Sequence, residues 1–108
     1  MHNPLANDRL RIPSPIIDDR LHVPPDDLLR YLGCTVHAEG ATVTARLADR
    51  QLRFSEVEGL SIEGGETRPE LAGRLWRARL VVPAAELCRF LGLSLRFDKP
   101  TLTATVGQ

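Results

Sequence analysis

Cysteine, histidine, lysine and aromatic side chains are all scarce in this 108-residue chain, and each scarcity removes a class of chemistry. Cys34 and Cys88 are too few for a disulfide framework and lack the CxxC spacing of a redox or zinc motif. The histidines are His2, His22 and His37, with no HxH or HxxxH among them, so nothing resembles a zinc or copper ligand set. Five aromatics (Tyr31, Phe54, Trp76, Phe90 and Phe97) are a thin supply for stacking on sugars or bases. Lys99 is the single lysine, and 14 basic residues balance 14 acidic ones. A zero balance argues against a general polyanion binder and against a polybasic membrane-surface protein. No apolar run approaches the length of a bilayer span. The opening MHNPLANDRL shows neither the basic patch nor the apolar stretch of a signal peptide. No GxSxG elbow is present, and Gly64-Gly65 lacks the Gly-Lys-Ser/Thr of a phosphate loop.

What remains is 43% hydrophobic, enough for one small core, and it is laid out twice. Residues 20–47 align without a gap on residues 79–106, an offset of 59. Arg20/Arg79, Leu21/Leu80, Val23/Val82, Pro24/Pro83, Leu28/Leu87, Arg30/Arg89, Leu32/Leu91, Gly33/Gly92, Thr42/Thr101, Thr44/Thr103 and Ala45/Ala104 are identical. Asp27/Glu86, Tyr31/Phe90, Val36/Leu95 and Glu39/Asp98 are near-matches. Two copies are fewer than a solenoid needs, so the units are expected to pack on each other as one domain.

Each unit reads as strand, helix, hairpin. Pro24 and Pro83 follow an apolar strand and open a helix where a missing N–H is harmless. Asp26, Asp27 and Glu86 sit near the positive end of the helix dipole. Pro25, Leu28, Leu29 and Leu32, and likewise Ala84, Leu87, Cys88 and Leu91, form one apolar helical face per unit. Gly33 and Gly92 stop the helices, where glycine takes positive φ. Helices this short need tertiary packing. The period then changes to two. Cys34, Val36 and Ala38 point inward, then Val43, Ala45 and Leu47; in the second unit Leu93, Leu95 and Phe97, then Leu102, Ala104 and Val106. Turns are expected at Glu39-Gly40 and Asp98-Lys99-Pro100. A short hairpin through Asp18-Asp19 precedes the first helix, whereas the return from Leu75-Trp76 has no strong turn pair. Gln51–Val57 and Leu60–Ile62 read as connecting strands, and residues 64–69 as a loop.

The expected fold class is therefore α+β, with antiparallel sheets packed on two short helices. The expected core is Leu21, Val23, Leu28, Leu32, Val36, Val43, Trp76, Leu80, Val82, Leu87, Leu91, Leu95, Leu102 and Val106, with Pro24, Gly33, Pro83 and Gly92 as helix punctuation.

The doubled element resembles a known family. His22-Val23-Pro24 through Leu32-Gly33, and Val81-Val82-Pro83 through Leu91-Gly92, are similar to the copper amine oxidase N-terminal domain, or stalk domain. Leu95-Arg96-Phe97-Asp98 resembles that family's strand ending in an aromatic and an acid. The chain departs from the family's Pro-Leu-Arg helix start, with Pro24-Pro25-Asp26 and Pro83-Ala84-Ala85, and has Ala38 before Glu39. The resemblance implies a module appended to oxidases or to bacterial cell-envelope proteins, without copper or a redox cofactor of its own. It implies an envelope or secreted setting, while the absence of a visible signal peptide leaves the cytoplasm open. On this division residues 1–12 are a flexible leader and 13–108 a stalk-like domain, made of repeat 1 (15–47), connecting strands (48–73) and repeat 2 (74–106).

Candidate chemistry finds a structural explanation at each position. Cys88 and Cys34 stand where the other unit has Leu29 and Leu93, which makes them core hydrophobes, with a single Cys34–Cys88 bridge as the alternative. The three histidines read as unrelated surface residues, with His37 on the sheet face opposite Cys34. Asp18-Asp19 suits a turn and Asp26-Asp27 a helix N-terminus, leaving no carboxylate pair for acid–base work. Residues 1–67 carry 7 basic and 11 acidic residues, a balance of −4; residues 68–108 carry 7 and 3, a balance of +4. Opposite signs would hold the units together or pair two chains. Arg74, Arg77 and Arg79 with Trp76 are the candidate nucleic-acid strand, weakened because Trp76 shares a parity with Leu80 and Val82, which places it in the core. The reading is a non-enzymatic structural or interaction module with no catalytic, metal or cofactor residues. Its partner is a protein or a second copy of itself, a homodimer through unpaired strand edges. The alternatives are a cell-wall or polysaccharide recognition module and a small arginine-using nucleic-acid binder.

Overall fold

A computed structural model describes residues 9–107. It is α+β, with two short helices among mostly antiparallel strands. In chain order these are β1 (Leu10–Pro13), β2 (Ile16–Ile17), β3 (Arg20–Val23), α1 (Pro25–Tyr31), β4 (Thr35–Glu39), β5 (Thr42–Leu47), β6 (Arg50–Ser55), β7 (Gly59–Ile62) and β8 (Thr67–Arg68). A 3-10 turn (Pro69–Leu71), β9 (Arg74–Trp76), β10 (Arg79–Pro83), α2 (Ala84–Leu91), β11 (Ser94–Asp98) and β12 (Thr103–Gly107) follow. The strands form ladders of order β4-β5-β6-β7-β8, β2-β3-β10-β9 and β1-β12-β11.

The helices begin and end as the sequence dictates. Pro24 and Pro83 are the N-caps, Asp26, Asp27 and Glu86 occupy the first turns, and Gly33 (φ 87) and Gly92 (φ 72) take the left-handed conformation at the C-terminal ends. Leu28, Leu29, Leu87 and Cys88 are fully or almost fully buried. One hydrophobic cluster draws on both halves of the chain: Val23, Val43 and Phe54 from one, Leu80, Ala104 and Val106 from the other. At its middle β3 pairs with β10, Val23 opposite Val82. Leu21, Val36, Leu91 and Leu95 pack on the cluster half-buried, and Leu32 is half-buried as well.

The structure corrects several expectations. Leu10–Pro13 is no loose leader, because it pairs with β12 and buries Ile12; residues 1–8 lie outside the described residues. Leu102 is 48% exposed rather than core. In the first hairpin Gly40, at φ 58, closes Glu39 onto Thr42 with two residues. The same place in the second hairpin holds Lys99 and Pro100, a Cβ where positive φ is needed and then a ring that fixes φ. The loop widens instead to four residues, with the Leu102 N–H donating to the Lys99 carbonyl at 3.2 Å and Asp98 opposite Thr103. The register shift is two, so Ala104 and Val106 keep the inward face. Trp76, also expected in the core, is half-buried. A two-residue turn at Arg77 (φ 53) and Ala78 (φ 63) sets Trp76 opposite Arg79 and Leu75 opposite Leu80. The chain reverses there, so Leu75 shares the side of Leu80 and Trp76 does not.

Candidate functional site

The densest polar constellation lies where α1 meets β10. Asp26 and Asp27 are fixed by the first turn of α1, and Arg79 by the first residue of β10. Arg79 Nη2 donates to Asp26 Oδ2 and to Asp27 Oδ1, both at 2.9 Å. Arg30, one turn along α1, donates to Asp26 Oδ2 at 3.0 Å. Asp26 is therefore buried but doubly paired, its side chain only 7% exposed. Burial pulls the Arg79 pKa down, but its hydrogen bonds to Asp27 and Asp26 outweigh that and raise it. A second contact crosses the other way: Arg20 of β3 meets Glu86 of α2 at 2.8 Å. Arg74 likewise meets Asp18. Asp26-Asp27 is thus a fastener between halves, and Asp18-Asp19 is a turn with both residues at positive φ. In the sequence Arg20/Arg79 and Asp27/Glu86 are matching columns, but nothing local pairs one column with the other. Opposite charges at fixed positions of two matched segments were the available signal.

The nucleophile and metal candidates are not brought together. Cys34 and Cys88 are free thiols; Cys88 is buried, which pushes its pKa up to about 11, and burial also raises that of half-buried Cys34. A thiol held protonated is a poor nucleophile and a poor ligand. His22 corrects the surface assignment: it is buried at 5% exposure, and its Nδ1–H donates to the Arg20 carbonyl at 2.9 Å. Burial lowers its pKa, so the ring is held neutral. His37 is exposed, 3.5 Å from Glu39 Oε2. His2 lies outside the described residues. Among the described residues no three His, Cys, Asp or Glu side chains converge as a metal site. None of their buried side-chain polar atoms lacks a hydrogen-bond partner.

The candidate nucleic-acid strand is largely spoken for. Arg74 and Arg79 are in ion pairs, and the Arg77 guanidinium lies over the Trp76 ring, 4.4 Å from its centroid. The outer faces are polar, as the alternation foretold. That of β4-β5-β6 carries Thr35, His37, Thr44, Arg46 and Gln51 around a shallow groove of about 410 Å³. A groove of about 390 Å³ between the 3-10 turn and α2 is lined by Arg68, Glu70, Glu86, Arg89 and Phe90. Ile16 on β2 and Leu75 on β9 are exposed apolar residues at the two edges of the central ladder.

Among the described residues no helix is long and apolar enough to cross a membrane. No protein-family model, curated protein sequence or solved structure matches this chain.

Proposed function

We propose that this chain is a non-catalytic interaction module of the stalk-domain type, made of a duplicated strand–helix–hairpin unit whose copies clasp each other. One observation carries the reading. Arg79 pairs with Asp27 and Arg20 pairs with Glu86, and these are the same two columns of the offset of 59 crossing in opposite directions. Val23 standing opposite Val82, its own counterpart, fits a pseudo-twofold axis between the copies. The preceding hairpins agree: Ile16 faces Leu21 as Leu75 faces Leu80, and each turns on two consecutive residues at positive φ. On this reading the conspicuous charges are consumed in holding the copies together. The surface left for a partner is the pair of ladder edges, where Ile16 and Leu75 are exposed on strands whose outer side has no ladder partner among the described residues.

The ladder pattern says which backbone groups face outward there. The His22 N–H donates to the Pro15 carbonyl at 2.9 Å, which leaves the amide of Ile16 facing away from β3. A second chain adding a strand there makes a homodimer, the partner this reading favours. Sedimentation of the purified chain over a micromolar concentration series tests it. The expected result is a dimer that becomes monomer in the Ile16→Lys/Leu75→Lys variant, since edge lysines oppose strand addition. A monomer at every concentration removes the homodimer, and reproducible turnover by the metal-free protein removes the module reading itself.

A further inference from the structure

The outer face of the β1-β12-β11 ladder gathers positive charge that has no counterion among the described residues. Arg11, Thr105 and Arg96 stand side by side across its three strands. One row along, Ser94 stands opposite Gly107, and its Oγ donates to the Gly107 carbonyl at 3.0 Å. Arg9 reaches across this row. Its Nη1 lies 2.9 Å from the point a Cβ on Gly107 would occupy, and Ser94 Oγ lies 3.4 Å from the same point. The missing side chain at Gly107 is what lets the Arg9 guanidinium lie over β12. Between the two guanidinium-bearing rows is a cavity of about 240 Å³ lined by Arg9, Ser94, Leu95, Arg96 and Thr105.

Among the described residues no carboxylate lines that cavity. The nearest acid along β11, Asp98, accepts from Thr101 Oγ1 at 2.5 Å and lines the adjoining groove together with Arg11, not the cavity of Arg9 and Arg96. Elsewhere Arg20, Arg30, Arg68, Arg74 and Arg79 meet carboxylates; what sets this face apart is that two guanidinium groups line one cavity. Two planar guanidinium groups offer forked donors to an oxyanion, and the Thr105 hydroxyl offers one more, while the Ser94 hydroxyl hydrogen is engaged by the Gly107 carbonyl. We propose that this cavity binds a tetrahedral oxyanion, a phosphate or sulfate group, free or carried by a small ligand. The proposal is independent of the duplicated-module reading, because it needs only this face and these side chains.

Amide NMR titration of the full chain with inorganic phosphate, sulfate and glycerol 3-phosphate, against sodium chloride at matched ionic strength, tests it. Saturable shifts at Ser94, Thr105 and Gly107 are expected with the oxyanions and not with chloride. Arg96→Gln is expected to weaken phosphate binding about tenfold, the usual loss for a hydrogen bond to a charged group. Gly107→Ala, whose Cβ would displace only the flexible end of Arg9, weakens it in the same direction. Arg46→Gln, on the outer face of the other sheet, leaves it unchanged. Tighter binding of glycerol 3-phosphate than of phosphate assigns the site to a ligand-borne group; equal binding assigns it to the free ion. Non-saturating shifts, equal response to chloride, or wild-type affinity in Arg96→Gln would overturn the proposal.

Discussion

Arg79 and Arg20 make matching contacts across the molecule, yet their removal is expected to cost different amounts, because burial differs at the two ends. The carboxylate of Asp26 beneath Arg79 has a side chain 7% exposed, whereas Glu86 beneath Arg20 is 26% exposed. Breaking a buried pair from one side leaves a desolvated charge and costs about 3–5 kcal/mol. Arg79 is itself 44% exposed, and Arg30 stays on Asp26 at 3.0 Å, so the expectation is scaled down to about 2 kcal/mol for Arg79→Met. Arg20→Met breaks a pair that is solvated on both sides and is expected to cost about 0.5 kcal/mol. Methionine keeps much of the arginine stem's apolar contact, so the charge is what is tested. Urea unfolding gives both numbers, provided the slope stays constant. The cycle of Arg79→Met with Asp26→Asn should return a coupling above 1 kcal/mol. Salt at 1 M should erode the Arg20 loss before the Arg79 loss. Equal losses for the two variants, or no coupling between Arg79 and Asp26, would refute the claim that burial of Asp26 sets the scale.

Other outcomes follow from single residues. His22 is held neutral by burial, so its folded pKa lies below the unfolded value and the unfolded chain takes up the proton first. Its contribution is intact above about pH 6.5 and is lost as pH falls below that, by at most about 1.4 kcal/mol per unit; urea midpoints at pH 5.5 and 7.5 should converge in His22→Asn. Cys88, with a pKa near 11, should resist a disulfide reagent in the native protein at pH 8, while half-buried Cys34 reacts first and Cys88 only on unfolding. Ala78→Gly relieves a left-handed residue at φ 63 and should raise stability by about 0.5 kcal/mol after the entropy cost of glycine. Gly73→Ala puts a Cβ 2.2 Å from the Val81 carbonyl oxygen and should lower it by about 2 kcal/mol, both read by thermal melting.

The elements that the sequence makes legible are those where a local rule acts alone. Proline before an apolar run and glycine after it bounded both helices, and period-two alternation marked the hairpins. The misplaced residues sit where two rules compete. Trp76 has the right spacing from Leu80 for a continuous strand, but the chain turns at Arg77 and Ala78, neither of which advertises positive φ. Leu102 matches Val43 in the alignment, but the turn before it has lost its glycine. His22 looks like a surface histidine until Pro83 is laid opposite it, a contact between residues 61 positions apart. The ion pairs were legible only in part, since composition gives the charge of each half and only the fold says which residues meet.

The pairing of β1 with β12 bears on how the halves depend on each other. β5 is flanked by β4 and β6, with Ala45 opposite Leu52. β12 is flanked by β11 and by β1, with Ala104 opposite Ile12. The strand that closes the second sheet therefore comes from the beginning of the chain, before the first helix. Residues 74–107 alone would expose the buried side of β12, including Ala104 and Val106, and leave both its neighbours' work to β11. Long-range pairing of this kind costs loop-closure entropy, recovered only when both ends are in place. Unfolding is accordingly expected to be a single cooperative transition. Truncation before Leu10, which spares β1, should leave that transition in place; truncation after Pro13 should lower the melting point and make near-UV and far-UV signals diverge. A deletion of residues 1–13 that melts like the full chain would contradict the closing role of β1.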